Sequence, residues 1–361
     1  MRLFQNSGLY PAYVPRLRRL TAHDASFDER MRAFLADRFG APHFLQPVLD
    51  HDPAAFFTNG DDEQTQRLWA RQQGLPADAS LEAILLGQIE AHRTEVFYNL
   101  DPVRYASDFV RRLPGSVRRR IAWRAAPSPG ADLSAYDAVV CNFPSILLGY
   151  AQAGWRTAYF APGHDPVMDG FAAEIDRPID VLFVGAFTRH HRRRAALLEA
   201  IAGLGSEFAV ALHLDRSRAT RFAESPLGRM FPLAAHRRPA AIHTASREPI
   251  FGTDLYRALG CAKIVINGAI DMAGNDRGNM RCFEALGCGS LLLSDAGEYP
   301  EGMRDGETLC TYSSPDDAVS SLRDLLGSTA RRQHIAGQGH AMVRTLYSKQ
   351  AQWSRFLAIA Q

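Results

Sequence analysis

The chain has 361 residues, enough for two domains that each bury a core. Apolar residues make up 46% and charged residues 22%, which excludes wholesale disorder. A formal net charge of +2 gives no global electrostatic case for nucleic acid. Of the 41 basic residues only Lys263 and Lys349 are lysine, which leaves little room for a lysine nucleophile or Schiff base. Codon usage in a GC-rich genome accounts for most of this bias, and arginines that hold phosphate oxygens for a part. The cysteines Cys141, Cys261, Cys282, Cys288 and Cys310 are odd in number and form no CxxC pair. Neither a disulfide framework nor a zinc site is expected. Residues 1–20 lack a signal-peptide core, and no run of apolar residues is long enough to span a membrane. The expected compartment is the bacterial cytoplasm.

In chain order, the first half reads as mixed α/β. Residues 1–5 form an opening strand that turns at Asn6-Ser7-Gly8. Ser26 and Glu29 make a capping-box pattern before a periodic helix over 27–39, stopped by Gly40. Ser80 caps a helix through Ile84, Leu85 and Ile89. Short apolar strands follow at 96–98, 121–123, 138–141 and 157–160, with a helix at 145–153 between the last two. Strand, helix, strand at this spacing implies a parallel βαβ unit. Ala161-Pro162-Gly163-His164-Asp165-Pro166 stops both kinds of element and marks a hinge. Beyond it come strands at 181–184, 208–212, 264–267, 290–294 and 309–312. Helices are expected at 189–204, 254–259, 280–288, 315–326, 330–345 and 349–360. The fold class is therefore α/β, as two doubly wound Rossmann-like domains facing across a cleft. The first spans 1–165 and the second 166–346, and the helix at 347–361 packs back on the first. Ligands of such sheets bind at the carboxyl ends of the strands.

The segment richest in chemistry is Gly278-Asn279-Met280-Arg281-Cys282-Phe283-Glu284-Ala285-Leu286-Gly287-Cys288-Gly289, followed by an apolar strand. Backbone N–H groups of Gly278, Asn279 and Met280 at a helix start suit a diphosphate. Arg281 adds charge-assisted hydrogen bonds, and Glu284 can accept from two ribose hydroxyls. Asp276, Asn275 and Arg277 lie where a glycosyl group on that diphosphate would fall. The same residues also suit a plain helix with a satisfied Glu–Arg pair.

The segment resembles the nucleotide-sugar site of GT-B fold glycosyltransferases, especially the retaining family-four type. The resemblance rests on Asp276, seven intervening residues, then Glu284-Ala285-Leu286-Gly287. Asn279-x-Arg281-x-Phe283-Glu284-Ala285-Leu286 is similar to the spore-maturation (CgeB-like) branch. Ile179-Asp180-Val181-Leu182-Phe183-Val184-Gly185, Asp254-Leu255-Tyr256 and Lys263-Ile264-Val265-Ile266-Asn267 fit the same branch, as do residues 299–305 and Thr311-Tyr312-Ser313. The resemblance covers about residues 162–350. It implies that Glu284 binds the donor ribose and Asp276 the transferred sugar, where the family pattern has glutamate. It also implies that the loop after Gly185 supplies basic residues to the diphosphate: Arg189, or one of Arg192, Arg193 and Arg194. Such enzymes need no cofactor beyond the nucleotide-diphosphate sugar, and they hold it without metal. His190 and His191 have no further ligand at suitable spacing, so no metal is expected.

In the first half, Gly8 permits close approach, and Tyr10 and Tyr13 can stack on a sugar or serve as ordinary loop aromatics. His164 either contacts the donor or is a structural hinge residue. An inverting enzyme would need a general base, for which His23, Asp24, His51 and His92 are candidates. In a retaining enzyme the departing phosphate takes the acceptor proton. Basic clusters at Arg16, Arg18 and Arg19, at Arg111 and Arg112, and at 118–120 suit peripheral contact with the inner face of a membrane, or solvated faces beside nearby acids. The reading is a glycosyltransferase acting on a glycan, lipid-linked, protein or small-molecule acceptor, with no nucleic-acid partner. The alternatives are a nucleotide-sugar epimerase of the same fold and a non-catalytic glycan-binding protein on a decayed transferase fold.

Overall fold

The computed structural model describes the whole chain except residues 188–191, 234–235 and 269–271. The chain forms two compact units. One comprises Met1–Asp165, Met272–Asp276 and Tyr347–Gln361, the other Pro166–Asp271 and Arg277–Leu346.

The first unit is built on six strands: β1 (Leu3–Ser7), β2 (Ala55–Asn59), β3 (Val96–Asn99), β4 (Arg119–Trp123), β5 (Ala138–Cys141) and β6 (Thr157–Tyr159). They pair in the order β2-β1-β3-β4-β5-β6, every pair parallel. All carboxyl ends therefore share one edge. Val96–Asn99 and Ala138–Cys141 are buried at every position, as strands covered on both faces must be. Aromatic rings pack on both faces of the sheet, since Phe56 and Phe57 are consecutive in β2. Phe4 stacks on Phe56 at 4.9 Å and Phe34 on Phe57 at 5.5 Å. The helix Phe27–Ala36 opens with both halves of the Ser26–Glu29 capping box, and Ser80 caps Leu81–Ala91 through the Ala83 N–H. The helix Lys349–Ala360 completes this core. Phe356 is fully buried, its ring 5.0 Å from Tyr98 and 5.8 Å from Phe160.

The second unit carries β7 (Ile179–Ala186), β8 (Val210–Asp215), β9 (Ser246–Arg247), β10 (Ala262–Ile266), β11 (Leu291–Asp295) and β12 (Cys310–Tyr312). Their order is β12-β11-β10-β7-β8-β9, again all parallel. Val181, Ile264, Ile266, Leu291 and Leu293 pack with Leu197, Leu198 and Ile201 of the helix Arg192–Ala202 and with Leu322 of Pro315–Gly327.

Several expectations need correction. β1 continues through Asn6 and Ser7 instead of turning there, because the Asn6 amide is satisfied inside the sheet by Asn99. β2 escapes the sequence reading: Ala55-Phe56-Phe57 is a short apolar run directly after Asp52-Pro53. The first long helix ends at Ala36, not 39, since Arg38 and Gly40 take φ of 63° and 81°. The helix expected from 189 begins, as described, at Arg192 and gives way to a tighter 3₁₀ turn over Gly203–Ser206. Met272–Asp276, expected in the second domain, belongs to the first unit.

Candidate functional site

In the second unit, polar groups gather where β10 and β11 end and the helix Met280–Gly287 begins. Asn267 follows β10 directly. Its Nδ2 donates to Ser294 Oγ at 3.1 Å, its Oδ1 accepts from Asn279 Nδ2 at 3.2 Å, and its carbonyl accepts from the Tyr312 hydroxyl at 2.7 Å. Through its side chain and its carbonyl this one residue ties three strand ends to the helix start. Gly278, at φ 101°, sets the turn that aims the chain into the helix. Asn279 is the N-cap, with Met280 as first helical residue. Its amide is spent on Asn267, and the cap makes no side-chain bond to the helix N–H groups. Those N–H groups can meet an anion.

One turn on, Arg281 Nη1 donates to Glu284 Oε2 at 2.5 Å. Glu284 is 1% exposed, and burial pushes its carboxyl above the usual range although Arg281 pulls it down. The Glu–Arg pair considered from sequence is thus present, but its carboxylate is buried rather than on a surface helix. Arg277 pairs with Asp295 Oδ2 at 2.6 Å, and its backbone N–H bonds Glu298 O at 2.7 Å. Arg194 turns toward β10 and donates to the carbonyl of Gly268. Gly185 lies near the end of β7, where a Cβ would stand 3.1 Å from the Phe183 ring. Arg192 opens its helix. Arg189, His190 and His191 lie outside the described residues. Among the described residues no cluster of His, Cys, Asp and Glu could hold a metal ion, and no helix is long and apolar enough to cross a membrane.

In the first unit, Asp276 accepts from the Ser145 backbone N–H at 2.7 Å, and Ser145 Oγ donates to Ala273 O at 3.0 Å. The carboxylate sits on the start of the helix Pro144–Gln152, where the helix dipole favours a negative charge. Asp276 is 6% exposed, while Asn275 beside it is exposed. Asp276 therefore falls in a different unit from Glu284, Arg281 and Asn279.

The carboxyl edge of the first sheet holds a second polar network. Asn6 Nδ2 donates to Asn99 Oδ1 at 2.8 Å and Asn99 Nδ2 to the Tyr136 hydroxyl at 2.6 Å. Asp61 Oδ1 accepts the Leu9 N–H at 2.7 Å. Burial raises the Asp61 carboxyl above its ordinary value, against the pull of that N–H, and nearby Asp101 adds to the rise. At Gly8 a Cβ would come within 3.3 Å of Asp101 Oδ2. Tyr10 is exposed next to this edge, whereas Tyr13 is buried and donates to Asp37 at 2.8 Å. His164 is buried and forms a bridge with Ser348, its N–H bonded to Tyr347 O at 2.6 Å. The histidines weighed as bases fare differently. His92 is buried at the amino ends of β1 and β3, bonded to Leu3 O at 3.1 Å, with burial and then Arg2 lowering its pKa. His51 lies just ahead of β2, also at the amino edge.

Residues 192–358, just under half of the chain, match a family model described as glycosyl transferase-like. HepE of Anabaena, solved with UDP and glucose, matches 99% of the chain over 98% of its own, with a TM-score of 0.60 and 13% identity. The fold is that of GT-B glycosyltransferases. Sucrose-phosphate synthase of Thermosynechococcus elongatus (TM-score 0.55, 12% identity, 99% and 97% covered) and a glycosyltransferase of Rickettsia africae (TM-score 0.54, 11% identity, 99% and 97% covered) share this GT-B fold. No curated protein matches the sequence.

Sequence reasoning missed Asn99, Asp61, Asp101 and Ser145 at this GT-B scaffold's polar edges, and met Asn6, Asn267, Ser294 and Tyr312 only as members of a turn, a strand or a motif segment. A signal existed for Asn267 and Asn99, each a polar residue closing an apolar run. None existed for Ser145, whose partner is 131 residues away.

Proposed function

We propose that the protein is a glycosyltransferase that moves a hexose from a UDP-sugar to an acceptor hydroxyl, with retention and without metal. The observation that carries this reading is the buried Glu284 one turn below an N-cap whose amide is spent elsewhere. A carboxylate so placed accepts from ribose hydroxyls, while the N–H groups of the first helical turn, beginning with Met280, take the diphosphate. On binding, Arg281 turns from Glu284 to the phosphate oxygens, and Arg194 with Arg189 or Arg192 adds charge as the diphosphate leaves. The glycosyl transferase-like match over 192–358 and the UDP-glucose complex of HepE support UDP as the donor nucleotide to test first.

In this reading Asp276 and Asn275 contact the transferred sugar, and the departing phosphate takes the acceptor proton. The first unit binds the acceptor, a bacterial glycan, glycolipid, protein or small molecule, through Asp61, Asp101 and Tyr10. The spore-maturation branch is the finer assignment we favour, on Asn279, Arg281, Phe283 and Glu284.

Calorimetry with UDP and UDP-glucose tests the donor assignment. Replacing Glu284 with glutamine should raise the dissociation constant by about 10- to 100-fold, the loss of charge-assisted bonds worth roughly 1.5–3 kcal/mol. Absence of nucleoside diphosphate binding by the unaltered protein would sink the reading. Conversion of donor without any acceptor would point instead to an epimerase.

A further inference from the structure

A pocket of about 620 Å³ opens at the opposite edge of the second sheet, beside the amino ends of β7, β10 and β11. It lies among residues 172–178, Lys263 at the start of β10, and the helix Thr329–Leu346. Arg177, Lys263 and Arg332 line it. Arg332 is 7% exposed and Arg177 is half-buried.

Both guanidiniums are held by neutral groups. Arg177 donates to Ala262 O at 2.9 Å, Ser290 Oγ at 3.2 Å, Ala172 O at 3.3 Å and Cys288 O at 3.4 Å. Arg332 donates to Leu325 O at 2.8 Å, Leu326 O at 3.1 Å and Thr329 Oγ1 at 3.2 Å. Among the described residues neither has a carboxylate within ion-pair distance, and Lys263 alone is paired, with Asp180 at 2.6 Å. Glu174 and Asp176 lie on the exposed rim, where water screens them. Leu325 and Leu326 close the helix Pro315–Gly327, and Cys288 caps Met280–Gly287, so these carbonyls offer only the partial charge of a helix end. Burial lowers the pKa of both arginines, yet a guanidinium keeps its proton at neutral pH. Asp180 attracts Arg332 and Glu174 attracts Arg177 from beyond ion-pair distance, so the wall of the cavity holds two guanidiniums that are only partly compensated.

Such a wall gains from an oxyanion that brings the missing charge. We propose that this pocket binds the phosphate group of a small ligand, at the sheet edge opposite Asn267 and Asn279. Two guanidiniums without an ion-pair partner, beside the Asp180-paired Lys263, suit a phosphate, which brings more charge than a carboxylate. The phosphate can come from a soluble ester or from the headgroup of an anionic lipid. Ile175, on the rim and 95% exposed, is the side chain that would enter a lipid surface.

The test uses the intact protein and inorganic phosphate in calorimetry. Gly337 lines the pocket and a Cβ there meets nothing within 4 Å. Gly337→Glu therefore places a carboxylate in the pocket without a steric cause for misfolding, and its thermal midpoint without phosphate checks the fold. Phosphate should bind the unaltered protein and Glu284→Gln alike, with the dissociation constant raised about tenfold or more in Gly337→Glu, as expected for repulsion at a desolvated anion site. Equal phosphate binding in Gly337→Glu, or none in the unaltered protein, would overturn the proposal. Phosphatidylcholine vesicles with and without phosphatidic acid separate the two sources. Retention on the acidic vesicles, lost in both Gly337→Glu and Ile175→Ser, assigns a lipid headgroup. Phosphate binding without vesicle retention assigns a soluble ester.

Discussion

Lys349 is buried, and its ammonium donates to Ala41 O and Phe44 O at 2.7 Å, Pro42 O at 3.1 Å and Gln352 Oε1 at 3.0 Å. The Ala41 and Pro42 carbonyls also accept the N–H groups of Phe44 and Gly163, so Lys349→Met should destabilise the protein by about 1–3 kcal/mol in urea unfolding, chiefly through the Phe44 carbonyl, which loses its ammonium donor. Burial lowers the lysine pKa from 10.5 to about 7. Between those values the unfolded chain holds the proton more tightly than the folded one, so stability should rise with pH from about 7. Above about 9 the buried thiols Cys141 and Cys282, pushed up to about 12, act in the opposite sense. A stability profile between pH 7 and 9 should therefore slope upward in the unaltered protein and flatten in Lys349→Met. Glu284 shows the same tension at the candidate donor site. Its raised pKa means that the ionised form costs stability at neutral pH. Glu284→Gln should accordingly lose nucleotide binding with no fall in thermal midpoint, a separation of function from stability that scanning calorimetry can read.

At the scale of elements, the helix Thr329–Leu346 offers two glycines with opposite expectations. A Cβ at Gly339 would stand 2.4 Å from Thr308 O and 2.7 Å from Leu286 Cδ2. Gly339→Ala should cost about 1–3 kcal/mol through overpacking. Gly337→Ala meets open space and should stabilise by roughly 0.5–1 kcal/mol through helix propensity. Denaturant midpoints of the two variants decide the matter. Elements were legible from sequence where local chemistry fixed them. Ser26 and Glu29 announced their helix, and Ile264–Ile266 and Leu291–Leu293 read as strands because a buried parallel strand is an unbroken apolar run. β2 was hidden, because its apolar run is short and ends in Thr58-Asn59. The candidate site was legible in part: Asn279, Arg281 and Glu284 sit on one short helix, so spacing sufficed. Asp276 was placed from spacing as well, but its fate depends on Ser145, which no local pattern connects to it.

For the whole molecule, the two units depend differently on the end of the sequence. The second is bounded by Leu346, while the first uses Tyr347–Gln361. A chain ending at Leu346 would lose Phe356 from between Tyr98 and Phe160, along with the Lys349 ammonium. Removing such an aromatic costs roughly 3–5 kcal/mol by itself. Hydrogen exchange on that shortened chain should show β1 and β3–β5 losing protection while β10 and β11 keep theirs. Uniform loss across both sheets would contradict two separately built cores.

The same arrangement has a consequence for synthesis. Domains usually fold in the order in which they leave the ribosome. Here the first unit lacks Phe356 and Lys349 until residues 347–361 have been made, by which point the second already has all of its own strands. The sheet of β1–β6 is thus begun before that of β7–β12 and completed after it. Until then Tyr98, Phe160 and the carbonyls of Ala41, Pro42 and Phe44 wait uncovered, and they would be the first surface that a chaperone meets on the nascent chain.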